Sequence, residues 1–445
     1  MGSLGRVIVA VVAVCCALAP PARAQDDPKP GTPAFVQRDL QNVVDAYGRQ
    51  LAPGGQLRNP HYLAALPAGV ADSYTSNLTE ILRNPLRPPL TLGAVFPGWD
   101  MANPLRQGWE GTRGLREPVE WEGRHGNLLR GDVWAPRPGA RDPYTGRKLK
   151  GPFPGVVITT GSIQGSNRMY WWLAQDLAER GYVVLTYDVQ GQGSSETLPH
   201  PCSFDGCPGV PAQQEANFVE GTEDAIRFFL SKDNPYGRWF DRRKLKTPTA
   251  PGRTRKLAIV GHSLGGSAVS KVQGTSKDVS AVVALDKLQS DGAKPVVPAL
   301  AVQSEYGFTV APYFANGGIV PGLGSPAAGP DPQREKQTGF DAWKKAGVDA
   351  MLVVPRASTH LEYTDIALAL PASRYGQDLT SVYTQRWLDR YLKGRSAEPL
   401  FDTRFSYLEP VGAGRWEPVA LNRDELLSFY YCSTYAVGGK SAELC

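Results

Sequence analysis

The chain has 445 residues, 42% of them hydrophobic, with a formal net charge of +5 and six cysteines. That length can bury one large core with extensions, or two cores. The mild charge, with no long basic run, excludes nothing but a dedicated nucleic-acid binder, and the short patch Arg242-Arg243-Lys244-Leu245-Lys246 reads as a solvated loop.

The first segment reads as an export signal rather than part of the fold. Arg6 is a positive start, Val7 to Leu18 is apolar but too short to span a bilayer, and Ala22-Arg23-Ala24 is an A-x-A cleavage site. We therefore expect a signal peptide over 1–24, a secreted product (extracellular or in the cell-wall or periplasmic space), and no integral membrane segment after cleavage. Cleavage removes two arginines and no acids, which lowers +5 to about +3. Cys202, Cys207, Cys432 and Cys445 survive it. An exported even set is expected to pair, and Cys202–Cys207 with Cys432–Cys445 closes two short loops out of the three possible connectivities.

Residues 25–114 are rich in proline and arginine without strand alternation. A helix is expected over Ala34 to Leu51 and one or two more between Tyr62 and Leu82, making a helical N-terminal extension. Asn77-Leu78-Thr79 fits the glycosylation pattern, which an export signal of bacterial type makes moot. Pro118 to Glu122 and Leu128 to Ala135 read as strands across an Arg124–Asn127 turn. Then come strand Val156 to Thr160, helix Arg168 to Arg180 stopped by Gly181, strand Tyr182 to Tyr187, and helix Glu215 to Ser231. Strand Leu257 to Val260 leads into helix Ser267 to Val272. Val279 to Leu285, Ala299 to Gln303 and Ala350 to Val354 are further strands, and Leu379 to Leu392 is a last helix stopped by Gly394. This alternation predicts an α/β domain over 115–396, a mostly parallel sheet with helices on both faces, followed by a tail over 397–445. The stretch Phe308 to Gln337 is too rich in proline and glycine for regular elements.

Gly261-His262-Ser263-Leu264-Gly265 sits between a strand and a helix. The glycines allow the sharp turn that holds the Ser263 hydroxyl above the sheet, in the manner of a nucleophile elbow. A serine hydroxyl needs a general base, and the base needs an orienting partner. The elbow predicts the chain order Ser, acid, His. His61, His125 and His200 precede the serine, and His262 lies inside the elbow with its side chain expected to point away from the hydroxyl, so His360 is the expected base. Asp286 and Glu305 each follow a strand, and position alone leaves the acid open between them. Oxyanion N–H donors are expected from Leu264 and from the loop Thr160-Gly161-Ser162-Ile163-Gln164-Gly165, with Ser162 the first choice there and Ile163 the alternate. No cysteine–histidine cluster has metal spacing, and no organic cofactor is called for.

Together with Gly161-Ser162, Trp171-Trp172 and Gly181-Tyr182-Val183-Val184, the elbow run resembles secreted α/β-hydrolase esterases, including cutinase-like and dienelactone-hydrolase-like enzymes. Gly261 to Gly266, Ala284-Leu285-Asp286, Ser304-Glu305-Tyr306 and Ser358-Thr359-His360 are also similar to the G-H-S-x-G-G, A-L-D, S-E-Y and S-x-H motifs of platelet-activating-factor acetylhydrolases. The likeness spans roughly 115–393. It implies the α/β-hydrolase fold, Asp286 as the acid, and hydrolysis of a small-molecule, lipid or polymer carboxylic ester. The chain departs from that family in having Thr160-Gly161 where His-Gly is usual, and in the long insert after Phe308. An acyltransferase using the same three residues, or a silent hydrolase-fold binding protein, are the competing expectations. Trp171, Trp172, Tyr306 and Phe308 are candidates for an acyl site or for core. Oligomeric state is left open.

Overall fold

The computed structural model describes residues 32–52, 55–83, 85, 92–162, 166–197, 214–286, 288–307, 339–365, 374–428 and 431–444. The export segment, Ile163, His200, Cys202, Cys207, Cys445 and the 308–337 stretch lie outside them. Two helices come first, α1 (Pro33–Leu51) and α2 (Pro60–Arg83). Thr32 starts α1 by accepting the Phe35 N–H, ahead of a proline in the first turn. Asn77 is buried and donates to the Asp100 carboxylate at 2.9 Å, so its side chain serves the packing of α2.

The strands are β1 (Gly114–Glu122), β2 (Leu128–Pro136), β3 (Gly155–Thr159), β4 (Val183–Tyr187), β5 (Leu257–His262), β6 (Ala281–Leu285), β7 (Ala299–Val302) and β8 (Ala350–Val353). Interleaved with them are α3 (Trp171–Ala178), α4 (Glu215–Leu230), α5 (Leu264–Thr275), α6 (Phe340–Lys345) and α7 (Arg374–Lys393). The expected helix over 168–180 opens instead as a 3-10 turn, Asn167–Tyr170. Strands β4, β3, β5, β6, β7 and β8 run parallel, and β1 and β2 join antiparallel beyond β4. The chain is thus α/β with a large, mostly parallel sheet.

Both faces are covered, which is why the central strands read as unbroken apolar runs. Val156 and Ile158 point into a core shared with α3 and α7, where Trp172, Trp387 and Leu388 are buried. Val157 points into the opposite core, shared with Phe229 of α4, Val269 of α5 and Trp343 of α6. Each aliphatic side chain so buried contributes about 1.5–3 kcal/mol.

The segment expected as a tail does not hang off the domain. It forms a hairpin, β9 (Arg404–Gly412) with β10 (Arg415–Asn422), a short helix α8 (Arg423–Leu426), and strands β11 (Ser433–Val437) and β12 (Lys440–Leu444). Strand β11 pairs antiparallel with β8, and β12 with β11, so the tail completes one edge of a ten-stranded sheet. Its polar, half-exposed pattern hid this, because an edge strand needs only one buried face. Cys432 lies just before β11. The expected pairings involve residues outside the described set. Arg242, Arg243, Lys244 and Lys246 are exposed around a buried Leu245, with Arg243 paired to Asp241.

The turn from β5 to α5 depends on absent Cβ atoms. A Cβ on Gly261 would overlap the Gly265 carbonyl, and one on Gly265 would overlap the carbonyl oxygens of Thr159 and Thr160. Glycine to alanine early in a helix ordinarily stabilises by up to about 1 kcal/mol. We expect Gly265→Ala to reverse that sign and destabilise by about 3 kcal/mol in urea unfolding, as overpacking against backbone requires. A neutral or stabilising result would mean the β3 end is free to move away.

Candidate active site

Ser263 sits between β5 and α5 with φ 56° and ψ −123°, a backbone state that costs a non-glycine residue energy and is tolerated where the surroundings impose it. The turn leaves Ser263 half-exposed and makes Leu264 the first residue of α5, so the Leu264 N–H has no carbonyl four residues back to bond. His360 Nε2 lies 3.0 Å from Ser263 Oγ. Its Nδ1 donates to Asp286 Oδ2 in a short contact. Asp286, immediately after β6, has φ 60° and is completely buried. Its other oxygen, Oδ1, accepts from Gln303 Nε2 and from the Ser304 N–H, both at 2.8 Å, and from Ser304 Oγ. With Nδ1–H engaged by the carboxylate, Nε2 presents its lone pair to the serine. The three residues expected from sequence are therefore brought together in the order serine, base, acid.

Glu305 is not in that line. Its carboxylate accepts from Asn42 Nδ2 of α1 at 2.6 Å, from the Ala357 N–H at 2.7 Å and from Ser428 Oγ at 2.5 Å. Burial pushes this carboxyl up to about 7, against the pull of those donors and of nearby Arg38, while the Asp39 charge adds to the rise. Next to it, Tyr306 is buried and bonded to Asn42 and Asp39, and Arg356 pairs with Asp45. Two chain ends thus meet at the loops carrying acid and base: the Glu305 N–H also donates to Ser358 Oγ, two residues before His360. Ala357, the donor to Glu305, has φ 57°, a third strained residue beside the site.

His262 has a role that the sequence did not reveal beyond pointing away from the hydroxyl. Its ring is fully buried 4.7 Å from the His360 ring. Burial, helped by the proximity of His360, holds its pKa well below the ordinary value, so it is neutral. Nε2 lies 3.0 Å from the His360 carbonyl, which can only accept, so Nε2 carries the proton and Nδ1 is an acceptor. Tyr170 Oη, 2.7 Å from Nδ1, must then donate, and burial raises its pKa, keeping that proton in place. The Gly161 N–H completes the chain, donating to Tyr170 Oη at 3.0 Å. A neutral, directional chain therefore links the loop after β3 to the backbone of His360.

That chain engages the Gly161 N–H; Ser162, a half-buried turn residue, carries the next N–H along the chain. A Cβ on Gly161 would lie 3.2 Å from Ser263 Cβ, so this loop rests against the nucleophile itself. The alternate donor, Ile163, is outside the described residues. Of the acyl-site candidates, Trp172 is core, bonded to the Tyr363 carbonyl, and Tyr306 is part of the Glu305 cluster. Trp171 is half-buried under the Arg116 guanidinium, and Phe308 is not described. His61 packs against Gly412, and His125 pairs with Glu220 at the β1–β2 turn. Among the described residues no group of three or more His, Cys, Asp or Glu side chains could hold a metal ion, and no helix is long and apolar enough to cross a membrane.

Compared with known proteins, the chain matches no family model and no curated protein sequence.

Asp286→Asn should lower kcat on an ester substrate by about 10⁴, because the amide would favour the wrong histidine tautomer. Glu305→Gln should stay within about tenfold of wild type. The reverse order would reassign the acid. Glu305 also carries a stability signature. Its folded-state pKa lies above the ordinary glutamate value of about 4.3, so its contribution is complete below that value and is lost as pH rises through about 7. Urea unfolding across pH 4–8 should show wild type losing stability relative to Glu305→Gln over that window; a constant difference would refute the raised pKa.

Proposed function

We propose that this protein is a secreted serine hydrolase of the α/β-hydrolase fold that cleaves carboxylic esters through an acyl-enzyme on Ser263. The observation that carries the reading is His360 placed with Nε2 3.0 Å from Ser263 Oγ while Nδ1 is held by a buried carboxylate. In this reading His360 takes the Ser263 proton as Oγ attacks the ester carbonyl. Asp286 keeps the ring in the required tautomer and stabilises the imidazolium that forms. The carbonyl oxygen, now negative, is met by the N–H groups of Leu264 and Ser162, and each such donor lowers the barrier by roughly 3 kcal/mol. His360 returns the proton to the departing alcohol. It then deprotonates a water that releases the acid and restores Ser263. The position of Ser263 at the C-terminal edge of a parallel sheet, where ligands of α/β folds bind, supports the assignment. The choice of ester over amide rests on the motif likeness over 115–393, and export rests on the leader-like residues 1–24.

Ser263→Ala should fold normally and lose turnover of a short-chain nitrophenyl ester by on the order of 10⁵ to 10⁶. Wild type should be labelled covalently at Ser263 by a fluorophosphonate and the variant should not. Wild-type-like turnover in Ser263→Ala, or no label in active wild type, would end this reading.

A further inference from the structure

We propose that Gln192 is a positioning residue for the oxyanion site, acting through the peptide unit that joins Gly161 to Ser162; this deepens the serine-hydrolase reading and rests on it. A trans peptide plane points its C=O and its N–H in opposite directions, so fixing one aims the other. Gln192 Nε2 donates to the Gly161 carbonyl at 3.1 Å. The N–H at the other side of that plane is the one belonging to Ser162. Because the carbonyl can only accept, the Gln192 amide has a single workable orientation there. The preceding plane is held too, since the Gly161 N–H donates to Tyr170 Oη. Both planes that meet at the Gly161 Cα are therefore clamped, at the residue type with the most backbone freedom to lose. A hydrogen bond to the carbonyl also polarises the peptide, making its N–H a better donor.

The clamp stands on a firm base. Gln192 lies in the turn after β4, and the Asp188 carboxylate at the start of that turn accepts from the Ser194 N–H at 2.9 Å and Ser194 Oγ at 2.8 Å. The same carboxylate accepts from the Asn167 N–H at 2.6 Å and Asn167 Nδ2 at 3.1 Å. One turn thus holds Gly161, through Gln192, and Asn167, through Asp188.

A second observation separates this role from packing. Gln192 is fully buried, and among the described residues its Oε1 has no hydrogen-bond partner. A buried orphan acceptor destabilises the fold. An apolar side chain of the same length would remove that orphan but would leave the buried Gly161 carbonyl without its donor, so what the amide supplies is the Nε2–H to Gly161.

The test is Gln192→Met, similar in shape and without a donor, assayed on a nitrophenyl ester. We expect kcat to fall by about tenfold to a hundredfold, the range for a misplaced or lost oxyanion donor. KM should stay within about twofold and the pH midpoint of kcat/KM should be unchanged, since nothing near His360 changes charge. The melting temperature should stay close to wild type, because one orphan acceptor, Gln192 Oε1, is exchanged for another, the Gly161 carbonyl; a purely structural glutamine would instead lower it and leave kcat intact. Gln192→Glu is the second variant. A protonated carboxyl can donate to Gly161 and an ionised one cannot, so its kcat relative to wild type should recover as pH falls. Wild-type kcat in Gln192→Met, or a shifted pH midpoint, would overturn the proposal, as would a Gln192→Glu ratio independent of pH. Fluorophosphonate labelling of wild-type Ser263 runs alongside: labelled wild type with an unaffected Gln192→Met sinks the clamp alone, whereas unlabelled, inactive wild type sinks the hydrolase reading as well.

Discussion

The positive φ of Ser263 is the constraint around which the site is arranged. A strand that passes into a helix within one residue lifts the serine hydroxyl clear of the sheet, and it does so only if nothing fills the space inside the turn. Gly261 and Gly265 keep that space open, and the consequence reaches across the sheet. The early α5 backbone lies against the carbonyls that end β3, and Gly161 lies against Ser263 itself. Close approach of three backbone segments fixes Ser263 relative to the start of α5 and to Gly161 before any side chain takes part. The helix start then adds the partial positive charge of its free N–H groups at the same point.

Strain of this kind persists only where neighbouring contacts over-determine it. Each strained residue here has such contacts. Asp286 is held by Gln303 and Ser304, and Ala357 by Glu305. The serine is held by its glycines and by the bond from its N–H to the Leu285 carbonyl. The histidine loop is fixed from beneath by His262, which must be neutral to be both donor and acceptor. A charged His262 would donate from both nitrogens, reversing its bond with Tyr170 and leaving the Tyr170 proton without this acceptor, so its burial maintains the direction of the whole chain. The element that sequence reading set aside as pointing away is therefore the one that joins the base to the opposite loop.

What was legible in the sequence was whatever local pattern decides. The central strands and their order as alternating elements followed from apolar runs between glycines, and the sharp turn at Ser263 followed from its flanking glycines. Position and elimination brought out His360. What was not legible depends on partners far away in the chain. Asp286 and Glu305 both follow parallel strands, and only the fold shows that Glu305 turns toward Asn42, 263 residues earlier, and Ser428, 123 residues later. The last strands were missed for a different reason. Residues such as Lys440 and Glu443 face outward on an edge, so β12 lacks the apolar signature that a covered strand carries.

Glu305 also explains why the N-terminal helices and the C-terminal segment belong to the same cooperative unit as the site. A carboxyl taken out of water without donors would cost several kcal/mol. Asn42, Ala357 and Ser428 offset that cost jointly, and no one chain segment supplies all three. Losing α1 would therefore do more than expose apolar surface: it would leave Glu305 short of a donor and Arg356 without Asp45, directly beneath the turn that leads to His360. The penalty would fall on the loop whose backbone is already strained at Ala357. The N-terminal helices are thus coupled to the Ser263, Asp286 and His360 cluster by the requirement that one buried acid be satisfied.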